Sequence, residues 1–108
     1  MNLIETTKNL IKINSVTGSE KDVIQFIKSE LTSNGFKGKI LEEEGGLVAI
    51  PESSSSRIAL VGHVDTVPIS DNQIASEDED LIFGRGSVDM KSGVALIMKS
   101  LLDSPENI

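Results

Sequence analysis

The stretch RIALVGH, residues 57–63, is the most apolar of the strand candidates in this sequence. A continuous apolar run offers no polar side to water. In extended backbone it therefore predicts a strand at the centre of a sheet, covered on both faces. Pro68 follows in GHVDTVP, and because proline cannot donate a ladder hydrogen bond, regular pairing is expected to end near it. The run delivers His63, the single histidine of the chain, to the carboxyl end of that strand, with Asp65 two residues on.

The segments on either side supply the cover that such a strand needs. Residues 2–13 place Leu3, Ile4, Thr7, Leu10 and Ile11 at spacings of three and four, one stripe of a helix. SVTGSE interrupts the pattern, with Gly18 for a turn. Ser19 is expected to cap a second helix, with Asp22 as its capping-box partner. Val23, Ile24, Ile27 and Leu31 form the inner face of that helix, and Gly35 in SNG suits its left-handed end. From Phe36 the period shortens: FKGKIL and GLVAIP read as two strands joined by a turn in EEEGG. ESSSS is a polar loop, ISDNQIASEDED a loop with a short edge strand, and LIFGRG a further strand running into a glycine turn. DMKSGVALIMKSLLDS reads as a closing helix with Met90, Val94, Ile97, Met98 and Leu101 inward, stopped at Ser104-Pro105. Its run from Val94 to Met98 is apolar enough to want cover on several sides. The order predicts an α/β domain: helices packed on a mixed, mostly parallel sheet, with a hairpin at EEEGG.

Composition narrows the chemistry. At 108 residues the chain has the size of one domain. A formal net charge of −7 argues against nucleic acid as a partner. No apolar run approaches the roughly 20 residues of a membrane span, and the acidic Glu5 with no long apolar stretch around it gives the start the look of a mature helix. A cytoplasmic location is the expectation. With no cysteine, there is no disulfide framework and no thiolate metal site, so a metal would have to sit on His, Asp or Glu.

Two constellations remain as candidates. In extended backbone, residues i and i+2 face the same side, about 6.6 Å apart along the strand. Asp65 can therefore accept from the ring of His63, the arrangement that fixes the tautomer of a metal-bound histidine. A histidine hydrogen-bonded at a strand end, with Asp65 starting a turn, accounts for the pair as well. The second constellation is GRGSVDMKSG, residues 84–93. Asp89 stands at the mouth of the last helix, where it is either an N-cap or a ligand. Lys91 reads as a solvated charge. Arg85 either pairs with a carboxylate or holds the loop. Sites in open α/β sheets form beyond the carboxyl ends of strands, and His63 and Asp89 both lie at such positions. Together they look like half of a hydrolytic metal site.

GHVDTVP followed by GRGSVDMKSG, with SVTGSE near the start, resembles the zinc aminoacylase and exopeptidase family. That family includes succinyl-diaminopimelate desuccinylases, acetylornithine deacetylases, aminoacylases and carboxypeptidases. The resemblance runs from about residue 3 to residue 103. The short spacer ISDNQIASEDEDLIF is most similar to one branch of the desuccinylases. The resemblance implies the following expectations. Residues 1–108 are the N-terminal part of a dizinc exopeptidase catalytic domain. His63 binds one zinc, Asp65 braces the His63 ring in a catalytic supporting role, and Asp89 bridges two zinc ions, with a non-proline cis peptide following it at Asp89-Met90. Cobalt can substitute for zinc. The substrate is a small N-acylated amino acid, N-succinyl-LL-2,6-diaminopimelate in that branch, cut to succinate and diaminopimelate. Family members form homodimers through a domain that this sequence does not contain.

The sequence also departs from the family pattern. The family site needs a Glu-Glu pair, a further acid and a second histidine later in the chain. After Asp89 only Asp103 and Glu106 are acidic, and there is no histidine. The tandem Glu42, Glu43 and Glu44 precede His63 and read as a solvated turn. A catalytic zinc normally takes three protein ligands plus water, whereas His63 and Asp89 make two. The expectation is a fragment that binds zinc weakly, is inactive alone, and leaves apolar surface uncovered. The rival readings are another family member, such as an acetyl-lysine deacetylase or a dipeptidase, and a non-catalytic module that works by pairing with a partner chain.

Overall fold

The computed structural model describes residues 1–53, 55, 58–68 and 75–108. Three helices carry the core: α1 (Leu3–Lys12), α2 (Lys21–Ser33) and α3 (Lys91–Asp103). Two hairpins flank them, β1 (Gly38–Glu43) with β2 (Gly46–Pro51), and β3 (Ser76–Asp78) with β4 (Leu81–Phe83), and a single 3-10 turn at Pro105–Asn107 follows α3.

Local chemistry explains where the helices start and stop. The side chain of Asn2 accepts from the Glu5 backbone N–H at 3.1 Å and caps α1, satisfying one of the orphan donors of the first turn. Ser19, expected as the cap of α2, is not one. Gly18, at φ +94°, turns the chain, and the Ser19 N–H donates to the Val16 carbonyl at 2.8 Å. The helix instead begins after Glu20, whose carboxylate accepts from the Gly18 N–H at 2.6 Å rather than capping forward. At the other end Gly35 takes φ +85°, its N–H donates to Thr32 and that of Phe36 to Leu31. This paired closure of the last carbonyls requires a left-handed residue at the Gly35 position.

The apolar stripes meet as their spacing predicts except at Ile4, which the α1 stripe includes and which stays 49% exposed because no described element covers that side of the first turn. Leu10 of α1, Val23, Ile24, Ile27 and Leu31 of α2, and Val94, Ala95, Met98 and Leu101 of α3 form one buried cluster. Each fully buried leucine or valine contributes about 1.5–3 kcal/mol. Ile40, Leu47 and Ala49 of the first hairpin lie against this cluster. Glu42, on the exposed side, accepts from Lys28 and Gln25 of α2 and ties the hairpin to the helix.

The sheet differs from the sequence expectation. Among the described residues both ladders are antiparallel, and the one parallel contact is an isolated bridge between Val16 and Thr66. Arg57 lies outside the described residues, as do parts of the ESSSS loop and residues 69–74 of the spacer. Residues 59–62 belong to no ladder, and Leu60 and Val61 are 40% and 80% exposed. A central strand needs a neighbour on each edge and a layer on each face. Here α3 supplies one covering layer: a Cβ on Gly62 would lie 3.0 Å from Met90 Cε and 3.2 Å from Ile97 Cδ1. No described strand lies alongside. No helix among the described residues is long and apolar enough to cross a membrane.

Lys91 also departs from expectation. It is 1% exposed, not solvated. Its ammonium donates to the Leu10 carbonyl at 2.8 Å and the Ile13 carbonyl at 2.6 Å. Both carbonyls stand at the end of α1, where backbone acceptors lack helical partners and the helix dipole is negative. A long cation at the first residue of α3 reaches them from inside. Gly86, at φ +90°, crosses the Lys91 stem so closely that a Cβ there would be 2.9 Å from Lys91 Cδ.

Burial pushes the Lys91 amine down to about 8 from its ordinary 10.5. Between those values the unfolded chain holds more protons than the folded one, so stability rises as pH climbs through this window. Denaturant titrations should show that rise in the native chain and its absence in Lys91→Met. Lys91→Ala is expected to lose about 1–3 kcal/mol, because the Ile13 carbonyl loses its ammonium donor and the Leu10 carbonyl keeps only the 3.3 Å bond from the Ile13 N–H.

Candidate functional site

His63 and Asp89 come together from different parts of the chain. His63 follows the segment packed on α3 at Gly62, and Asp89 precedes the first turn of α3. Met90, not Asp89, is the N-cap residue of α3, and no side chain caps that helix. The capping role open to Asp89 in the sequence is therefore not the one it takes. Its Oδ1 lies 3.0 Å from His63 Nε2. The Asp89-Met90 peptide is cis, as the family resemblance implies.

Asp65 takes the other side of the ring. His63 Nδ1 is 3.1 Å from the Asp65 backbone carbonyl and 3.3 Å from its carboxylate Oδ1. Thr17 donates from its hydroxyl to the other carboxylate oxygen, Oδ2, at 2.6 Å. The Thr17 bond is the main reason the Asp65 carboxyl sits below the usual range, with the His63 charge adding to it. The His63 ring is raised above its ordinary value, first by the hydrogen bond to the Asp65 carbonyl and then by Asp89.

These groups line a cavity of about 330 Å³, walled also by Thr66, Val67 and the turn of residues 84–88. The side chains of His63 and Asp89 are 48% and 85% exposed, so both donors are open to a ligand from the cavity. Arg85, whose role the sequence left undecided, lines this cavity and a smaller one beside Lys91. The sequence signalled the SVTGSE segment without assigning Thr17 a task. Its contact with Asp65 joins positions 48 residues apart, which no local pattern reveals.

The donor set tests whether zinc would fit. Two ligand atoms on a tetrahedral zinc, each 2.0–2.2 Å from the ion, lie about 3.3 Å apart. His63 Nε2 and Asp89 Oδ1, at 3.0 Å, need to open only slightly to admit one. An imidazole nitrogen and a carboxylate are suitable donors. The count falls short of a closed site: among the described residues no group of three or more His, Cys, Asp or Glu could hold a metal ion.

The raised His63 value has a stability consequence. Its ion pairs are fully present below the ordinary 6.5 and are lost as pH rises through the folded value. An NMR titration of the metal-free chain should place the His63 midpoint above 6.5. Asp89→Asn should bring that midpoint down.

Known proteins resemble this chain over most of its length. The profile of Peptidase family M20/M25/M40 matches residues 59–107, the segment containing His63, Asp65 and Asp89. A Pyrococcus abyssi protein named LysW-lysine/LysW-ornithine hydrolase is 36% identical across 97% of this chain and 30% of its own length. A Rickettsia bellii succinyl-diaminopimelate desuccinylase is 35% identical across 93% of this chain and 29% of its own length. The Corynebacterium glutamicum desuccinylase is 34% identical across 88% of this chain and 26% of its own. The chain thus spans under a third of the length of these relatives. The matched segment and the relatives agree: residues 59–107 carry the pattern of peptidase family M20/M25/M40, and the chain is similar to amide-bond hydrolases over most of its length.

Proposed function

We propose that residues 1–108 are the N-terminal part of the catalytic domain of a zinc-dependent amidohydrolase. The observation that carries this reading is the meeting of His63 Nε2 and Asp89 Oδ1 at 3.0 Å across an open cavity. His63 would bind one zinc ion, and Asp89 would bridge it to a second. The remaining ligands and the general base would come from residues that this sequence does not contain. The family pattern in residues 59–107 and the shortfall in donors support that division.

Each residue has a definite task in this reading. Asp65 and its carbonyl hold a proton on His63 Nδ1, which leaves the Nε2 lone pair free to coordinate. Asp89 would supply negative charge against the bound cations. Bound zinc would polarise the scissile carbonyl and lower the pKa of an attacking water. The substrate would be a small N-acylated amino acid. The short spacer of residues 69–83 favours N-succinyl-LL-2,6-diaminopimelate, the substrate class named for the desuccinylase relatives. A homodimer in the cytoplasm completes the proposal.

Zinc titration of the chain tests it. One weak site is expected, lost in His63→Ala and in Asp89→Ala, and weakened roughly 10–100-fold in Asp65→Ala, the usual cost of removing a ligand's orienting partner. Tight binding of two ions per chain would sink the assignment of ligands. The chain alone with zinc should not hydrolyse N-succinyl-diaminopimelate. A longer protein carrying these residues in frame should do so, and lose the activity with either ligand.

A further inference from the structure

We infer that Thr17 is a positioning residue of the site: its hydroxyl fixes the Asp65 carboxylate, which in turn orients the ring of His63. The geometry is explicit. Thr17 Oγ1 donates to Asp65 Oδ2 at 2.6 Å, leaving Oδ1 3.3 Å from His63 Nδ1, where it reinforces the Asp65 carbonyl 3.1 Å from the same nitrogen. A carboxylate that is 37% exposed would otherwise sample several rotamers, and only some of them aim an oxygen at the ring.

Thr17 is itself held in register. Its N–H donates to the Thr66 carbonyl at 3.2 Å, and the Thr66 N–H donates to the Ser15 carbonyl at 2.9 Å. Ser15, 1% exposed, donates its hydroxyl to the Val64 carbonyl at 2.6 Å. The segment after α1 therefore runs beside residues 64–66 as a short parallel pairing. The Thr17 hydroxyl is placed by backbone bonds on both strands rather than by a loose loop. A supporting hydrogen bond of this kind determines which nitrogen of a ligand histidine carries the proton. The value of this device for metal binding rests on the function proposed above. The positioning itself does not.

Because the chain has one histidine, ¹⁵N-labelled histidine gives the spectrum of the His63 ring alone. The metal-free chain is compared with Thr17→Val, which keeps the shape at an exposed position, with Thr17→Ala, and with Thr17→Ser. Above the His63 titration midpoint, and in an Asp89→Ala background that removes the acceptor 3.0 Å from Nε2, the chain with Thr17 or Thr17→Ser should carry the ring proton on Nδ1. Thr17→Val and Thr17→Ala should shift toward the Nε2–H tautomer, with thermal melts showing the fold retained. With Asp89 in place, zinc affinity should fall roughly 10–100-fold in the same two variants and return in Thr17→Ser. In that Asp89→Ala background, a ring with its proton on Nε2 despite Thr17, or a tautomer balance that ignores the loss of the hydroxyl, overturns the inference. A hydroxyl-dependent tautomer in a chain that binds no zinc upholds Thr17 and removes the metal reading instead.

Discussion

The ammonium of Lys91, bonded to two carbonyls at the end of α1, is the interaction on which the arrangement depends. It joins the first residue of α3 to the last turn of a helix some 80 positions earlier in the chain. Helix ends expose acceptors that must find donors, and an interior without water has few to offer. Lysine solves this by reaching through the core on an apolar stem. The start of α3 is thereby anchored, and Asp89 stands two residues before it.

A second tie works from the opposite side. Residues 15–17 pair with residues 64–66, so the segment leaving α1 also holds the segment around His63. The end of α1 is thus the common reference for both halves of the site. Its carbonyls hold α3 through Lys91, and its continuation holds Asp65 through Thr17. The 3.0 Å approach of His63 and Asp89 follows from these two attachments without a direct covalent or sheet connection between them.

The sequence made the helices and the first hairpin legible, because their burial follows a short period. The inward residues of α2 match its stripe, and Gly35 terminates it by the conformation that its sequence position suggests. His63, Asp65 and Asp89 are legible as residues that the fold could gather, because GHVDTVP and GRGSVDMKSG each follow an apolar run, and the structure brings the three together. Three other features are not legible. Lys91 is a charge whose burial depends on carbonyls of a distant helix. Ser19 looked like a cap, but Glu20 binds back to Gly18 and the helix begins later. The apolar run before His63 reads as a central strand, but its composition states only what it would need around it. Whether strands lie alongside depends on segments far from it in sequence, and side chains of Met90 and of α3 approach it at Gly62.

That contact at Gly62 sets an asymmetry in how the site tolerates change. One residue before the histidine, a Cβ would come within 3.0 Å of Met90 Cε and 3.2 Å of Ile97 Cδ1. A methyl group added there must push outward against α3, and α3 begins just after Asp89. On the other side of the same segment, Val61 is 80% exposed in residues 1–108 taken by themselves, so among the described residues nothing there resists a change in size. Neighbouring positions in one short stretch therefore face opposite constraints. Substitutions at residue 61 change what the surface presents, whereas substitutions at residue 62 change the distance between the two halves of the site.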